Sequence, residues 1–177
     1  LYYTKLPQDT PEVKNSIVES YRLSVMQNNA EMFRAVQQQT DAYKAYLKDN
    51  DYVWGSNSVK CRAGIILYNI TRYADPGEHE VALKQAALDY LHNMHGRNAT
   101  GLTYISNMRH AGAARSINEI YHNWFTDGSE FDNVQTSAKG PAPGFLSGGP
   151  NTHFRPDAQY NGPPLVPPLN QPVQKAY

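Results

Sequence analysis

The 177-residue sequence contains a single cysteine, Cys61, so no internal disulfide can staple the fold. It has no excess of charge: 16 Lys and Arg residues balance 16 Asp and Glu, and like charges form no block. That argues against a nucleic-acid or anionic-membrane surface. No apolar run is long enough to span a bilayer. The opening stretch LYYTKLPQDTPEV lacks a basic segment leading into an apolar one, and it lacks an initial methionine. A mature product, a processed chain and a fragment all fit that start. What the chain has in quantity is tyrosine, 13 residues of it. Such rings suit carbohydrate or peptide contacts, or they fill the space between helices.

The first half reads as helical. Thr10-Pro11-Glu12 carries a capping hydroxyl, a proline for the first helical position and an acid for the positive end of the dipole. Val13, Ile17, Val18, Tyr21, Val25 and Met26 follow near a 3.6-residue period, and the helix continues or restarts through residues 30–36. KDNDYVWGSNS (48–58) breaks it. A second helix fits residues 57–73, with Val59, Ala63, Ile66, Leu67 and Ile70 as its stripe. A third fits about 78–95, with Val81, Leu83, Ala86, Ala87, Leu88, Tyr90 and Leu91. The short turn between them predicts antiparallel neighbours. Gly96 stands at the expected C′ position. TGLTYIS (100–106) predicts a short strand or an extended wall, and RSINEIYHNWF (115–125) a short helix.

Nine of the twelve prolines lie between Pro141 and Pro172, which excludes a helix or a central strand there. GPAPGFLSGGPN (140–151) combines residues that restrict φ with residues that permit unusual turns, so it can hold one irregular shape at little entropic cost. Trp124, Phe125, Phe131, Phe145, Leu146 and Phe154 predict that this flank is packed in place. TDGSEFDN (126–133) gathers Asp127, Glu130, Asp132 and Asn133 around Gly128, hard oxygen donors that suit calcium or a solvated turn. His92 and His95 have helical spacing but no third ligand for zinc, and read as surface histidines. Asn69-Ile-Thr and Asn98-Ala-Thr fit the glycosylation pattern, which is frequent by chance.

YVWGSNSV before a helix, ALDYLHNMHGRNATGLTYISNM after a helical hairpin, then GPAPGFLSGGPN and GPPLVPPLNQPVQKAY stand in an order and spacing that resemble the C-terminal part of a glycoside hydrolase family 9 catalytic domain. That family includes endoglucanases and other enzymes that cleave β-1,4-glucans. Its blocks read like YLLGRNPLGISYVTG and PGMLVGGPN. The resemblance implies an all-α chain forming part of an (α/α)6 barrel. It implies one catalytic-domain portion over 1–177, mainly helical to residue 125 and made of cleft-wall loops over 126–177. Three or four helices are too few to close the barrel.

Inverting hydrolysis uses two carboxylates about 6.5–9.5 Å apart. The family's base lies in an Asp-Ala-Gly-Asp-like motif that is missing here, and its acid lies beyond the position matching QPVQKAY. No catalytic residue is therefore assigned; Glu119 and Glu130 qualify by type only. The resemblance implies a β-glucan partner, the remaining part of the catalytic domain as a second partner, a secreted or periplasmic location, no required cofactor and a possible structural calcium at Asp127, Asp132 and Asn133. It makes Trp54 a sugar-stacking residue, against the alternative of a core tryptophan beside a tight turn. It places His122 where the family has a sugar-binding histidine, with a hydrogen-bonded structural histidine as the other reading. Trp124 stands where an arginine is expected, so Arg109 or Arg115 supplies the cation, or an aromatic ring replaces it. Tyr104 and Asn151 complete the expected sugar contacts. Two other readings stay open: a non-catalytic carbohydrate-binding or helical scaffold protein, and an unrelated helical module with a flexible proline-rich tail.

Overall fold

The computed structural model describes residues 2–23, 25, 30–74, 77–120, 127–151 and 175–176. Their contacts fall into two units, one of residues 1–46 with 60–93 and the other of residues 47–59 with 94–177. The chain is helix-rich, with four α-helices among the described residues: α1 (Pro11–Leu23), α2 (Ala30–Gln38), α3 (Ser56–Tyr73) and α4 (Glu80–Met94). Among the described residues four short strands, of two to four residues each, accompany this helical body: β1 (Thr103–Ser106), β2 (Ser116–Ile117), β3 (Glu119–Ile120) and β4 (Lys175–Ala176). Among the described residues no helix is long and apolar enough to cross a membrane.

The first unit is built on the periodic stripes. Lys14 N–H donates to the Thr10 carbonyl at 2.9 Å, which closes the first turn of α1 where the Thr-Pro-Glu signal puts it. The core joins Val25, Phe33, Val36, Ala45, Ala63, Leu67, Ile70, Leu83, Ala86 and Tyr90. Full burial of a side chain such as Leu67 or Ile70 contributes about 1.5–3 kcal/mol each. The α3–α4 pair is antiparallel, as its short connection requires. The Lys60 ammonium reaches Asn93 Oδ1 at 3.2 Å, while one turn later Gly64 faces Ala87 and Tyr90. A Cβ on Gly64 would lie 3.0 Å from Tyr90 Cβ, so the glycine lets the two backbones approach. Tyr90 hydroxyl donates to the Tyr46 carbonyl at 2.6 Å, and Tyr21 hydroxyl to the Ile66 carbonyl at 3.2 Å. Both rings thus fill interhelical space with the polar tip satisfied.

Not every apolar residue of the stripes is covered. Val13 on α1 and Val81, Leu88 and Leu91 on α4 are exposed, as are Ile65 and Tyr68 on α3. On α4 the exposed three occupy the side opposite Leu83, Ala86 and Tyr90, which follows from 100° per residue.

Among the described residues α4 is the last α-helix, ending at Met94. Gly96, at φ 113°, lies just past α4 and turns the chain into β1. β1 pairs in parallel with β2, Thr103 opposite Ser116 and Ser106 opposite Ile117, across an irregular register. β3 pairs in parallel with β4, Glu119 opposite Lys175 and Ile120 opposite Ala176. The helix expected over 115–125 is therefore replaced, as far as Ile120, by two short strands; residues 121–126 lie outside the described residues. β-branched Ile117 and Ile120 suit the extended form once β1 and β4 offer partners.

Candidate functional site

The Gly/Pro block is held through its backbone. Ser106, fully buried on β1, grips it four ways. Its N–H donates to the Phe145 carbonyl at 2.8 Å, and its carbonyl accepts Gly144 N–H at 2.9 Å. Its hydroxyl donates to the Ala142 carbonyl at 2.6 Å and accepts Phe145 N–H at 3.1 Å. Asn107 Nδ2 adds the Pro141 carbonyl at 2.8 Å, and Ser147 N–H donates to the Tyr104 carbonyl at 2.9 Å. The block is thus packed in place, for a different reason than its apolar residues suggest. Phe131, Phe145 and Leu146 are exposed, while buried Ser106 and half-buried Asn107 provide the attachment. Trp124, Phe125 and Phe154 lie outside the described residues.

The same block reaches the start of α3. Asn57 N–H, one of the first-turn donors that no helix can satisfy internally, donates to the Gly148 carbonyl at 3.0 Å. Asn57 Nδ2 donates to the Ser147 carbonyl at 3.1 Å and lies 3.3 Å from Ser147 Oγ. Asn57 and Ser56 are both fully buried. Gly149, at φ 101°, lies against them. A Cβ there would fall 2.5 Å from Asn57 Cγ and 2.6 Å from Ser56 Oγ, which no side chain tolerates.

Immediately before this joint stands Trp54. Ser56 N–H donates to the Val53 carbonyl at 3.0 Å, closing a turn that carries the indole outward. Trp54 is 68% exposed, which removes the core-tryptophan alternative, and Gly55 has open space around it. Tyr104 is the reverse case. Its ring is buried, so it offers no open face to a sugar; the expectation of direct contact is corrected to a supporting place beneath the block. Burial pushes the Tyr104 hydroxyl above its usual range, the Thr100 hydroxyl 3.3 Å away pulls it back, and nearby Tyr52 raises it further.

Hydrogen bonds therefore join Tyr104, Ser147, Gly148 and Asn57, the last of these three residues after Trp54. Arg109 bonds elsewhere. Its exposed guanidinium donates through Nη2 to buried Asn118 Oδ1 at 3.2 Å, between β2 and β3. Arg115 donates through Nη2 to the Thr100 carbonyl at 3.1 Å and covers Gly101. Asn151 is half-buried at the end of the block. His122 and Trp124 lie outside the described residues.

In the acidic loop the oxygen donors brace the turn. Asp132 Oδ2 accepts Gly128 N–H at 2.9 Å. Buried Asn133 donates its Nδ2 to Glu119 Oε1 and accepts Gln135 N–H on Oδ1 at 2.8 Å. Asp127 is exposed, and Glu130 pairs with Lys139 at 3.0 Å. Among the described residues no three His, Cys, Asp or Glu side chains come together closely enough to hold a metal ion. His92 and His95 are exposed, as expected. Glu119 and Glu130, singled out by type, both serve the loop.

Neither glycosylation pattern presents an open asparagine. Asn98 is buried, donating Nδ2 to the Leu102 carbonyl at 2.8 Å and accepting Thr100 Oγ1 at 2.7 Å. Asn69 sits half-buried within α3, bonded to the Tyr21 hydroxyl. Asn57 is the residue that reasoning from sequence passed over. Its signal was faint: a polar residue directly after a Trp-Gly turn, at the first turn of a helix whose donors need outside acceptors.

No curated protein and no solved structure matches the chain. A family model does, over residues 3–164, a span that includes the Trp54 turn, the α3–α4 hairpin, β1 and the clamped Gly/Pro block. With that span matched, the chain belongs to glycosyl hydrolase family 9.

Proposed function

We propose that this chain forms the later part of a catalytic domain that cleaves β-1,4-glucan by inversion, and that it supplies cleft wall and sugar contacts. Family membership supports a carbohydrate substrate. The observation that carries the rest is the Trp54 indole, exposed on a turn whose base is clamped by fully buried residues. An aromatic face matches the apolar C–H face of a pyranose, and a rigid base keeps the ring from losing entropy on contact. Arg109 and Asn151 are the described polar candidates for sugar hydroxyls, with His122 and Trp124 as further candidates outside the described residues.

The two catalytic carboxylates are proposed to lie in other parts of the domain. The exposed apolar residues of α3 and α4 support a barrel that needs further helices to cover them. A glucan polymer places such an enzyme outside the cytoplasm, secreted or periplasmic. A calcium ion at Asp127, Asp132 and Asn133 would have to compete with Gly128 N–H and Gln135 N–H for its donors, so no step is assigned to it.

The test is binding without turnover. The chain should quench its indole fluorescence on titration with cellohexaose and release no reducing sugar. Trp54→Ala should weaken binding about tenfold, in line with an aromatic contact of about 1.5 kcal/mol. Hydrolysis by the isolated chain, or unchanged affinity in Trp54→Ala, would overturn this reading.

A further inference from the structure

Trp54 itself is held by little. Its turn is closed by one hydrogen bond, from Ser56 N–H to the Val53 carbonyl, and both Val53 and Trp54 are exposed. Three residues after Trp54, Asn57 is fully buried and makes contacts with a residue 90 positions away in sequence. Its backbone N–H uses the Gly148 carbonyl as an outside cap for α3, and its side-chain Nδ2 faces both oxygens of Ser147. Among the described residues Asn57 Oδ1 and Ser56 Oγ are buried without a hydrogen-bond partner, and both lie 2.6 Å from where a Cβ on Gly149 would stand. That contact admits glycine alone. The joint therefore has one seating: two polar side chains against a bare α-carbon, with the helix cap fixing their height.

We infer that Asn57 is a positioning residue for sugar binding: by fastening the first turn of α3 to residues 147–149, it sets the height and angle of the Trp54 indole. A binding group has to be held within about 0.5 Å and 10–20° of its working geometry by residues behind it. Among the described residues the joint supplies that support: Val53 and Trp54 are exposed, while Ser56, which closes their turn, and Asn57 are buried against residues 147–149. The inference rests on the proposal that Trp54 stacks on a glucosyl ring.

The experiment labels the full chain with 5-fluorotryptophan. The sequence holds two tryptophans, so two ¹⁹F signals arise, and Trp54→Phe identifies the Trp54 signal. Asn57→Ala should move and broaden the Trp54 signal and weaken cellohexaose binding about fivefold to tenfold at temperatures well below melting. Ser147→Ala, which keeps the Ser147 carbonyl and removes only its hydroxyl, should do the same to a smaller extent. It keeps the test decisive if Asn57→Ala does not fold. A Trp54 signal unmoved in both variants overturns the inference. So does weaker binding with an unmoved signal, which would make Asn57 a general stabiliser. If Trp54→Phe and Asn57→Ala leave cellohexaose affinity unchanged while the signal still moves, the sugar role fails and the indole seating alone stands.

Discussion

At the scale of the residue, two glycines of one loop separate backbone strain from crowding. Gly144 and Gly149 have similar positive φ, 93° and 101°, yet a Cβ on Gly144 meets nothing within 4 Å while one on Gly149 strikes Asn57 and Ser56. Gly144→Ala should cost about 1–3 kcal/mol for the strained backbone. Gly149→Ala should cost about 1–3 kcal/mol more for overpacking. Urea midpoints of the two variants check the difference, and equal values would contradict the crowding seen at the joint. Lys60 offers a prediction of a different kind. Burial lowers its ammonium below the ordinary range, with nearby Cys61 acting weakly the other way. Below its folded pKa both states carry the proton and the burial penalty is complete. Between the folded value and about 10.4, the unfolded chain stays protonated and the folded one does not, so stability from this site rises with pH. The stability of Lys60→Met minus that of the parent should therefore fall as pH climbs toward about 10.4. Taking the difference removes the opposite slope from raised groups such as Tyr104 and Tyr21. A flat difference would deny that Lys60 is desolvated. The Gly/Pro block was legible as a stretch that permits unusual turns, but not which residues close on it. The burial of Lys60 and the contact at Gly149 depend on partners 33 and about 90 residues away.

At the scale of the element, legibility followed the range of the forces involved. α1 to α4 were readable because a 3.6-residue stripe, a Thr-Pro-Glu start and a Gly96 stop are local signals. The strands β2 and β3 were misread as helix because Ile117 and Ile120 are three apart, a spacing that suits either form until a partner strand is known. Within the candidate site, Trp54 was readable by its place in a family-like block, whereas Asn57 gains its meaning only from the Gly/Pro loop. The connection from α4 to β1 shows how such local marks mislead. Asn98 carries a glycosylation pattern, yet its side chain is a buried brace for the turn that ends in β1. Asn98→Ala should destabilise the fold by about 1–3 kcal/mol, the penalty for orphaned buried groups. Chain made in a glycosylating host should have the bare mass at this position. A glycan on Asn98 in protein of unchanged stability would contradict the brace.

At the scale of the whole molecule, the distribution of apolar surface bears on how the chain exists in solution. Val81 is 80% exposed, and Leu88 and Leu91 continue its side of α4; Ile65 and Tyr68 do the same on α3. These residues alternate with Lys84, Gln85 and Arg62, so each stripe is mixed and does not stop the helix from folding. Uncovered, they favour association, because each apolar side chain taken out of water contributes about 1 kcal/mol or more. Net charge of zero supplies no repulsion to oppose it. The isolated chain is expected to self-associate with rising concentration. Val81→Lys with Leu88→Lys should make it monomeric without lowering its melting temperature, since both positions lie away from Leu83, Ala86 and Tyr90. Sedimentation velocity and melting curves on the same samples distinguish the cases. If further helices of the domain cover α4, the double variant should also fail to bind a separately made upstream half that the parent binds. A parent chain that stays monomeric to about 100 μM, well below the millimolar affinity expected of a few kcal/mol, leaves self-association weak and makes binding of the upstream half the deciding measurement. Loss of melting temperature in the double variant would instead place Val81 and Leu88 in the working core, against the exposure seen on α4.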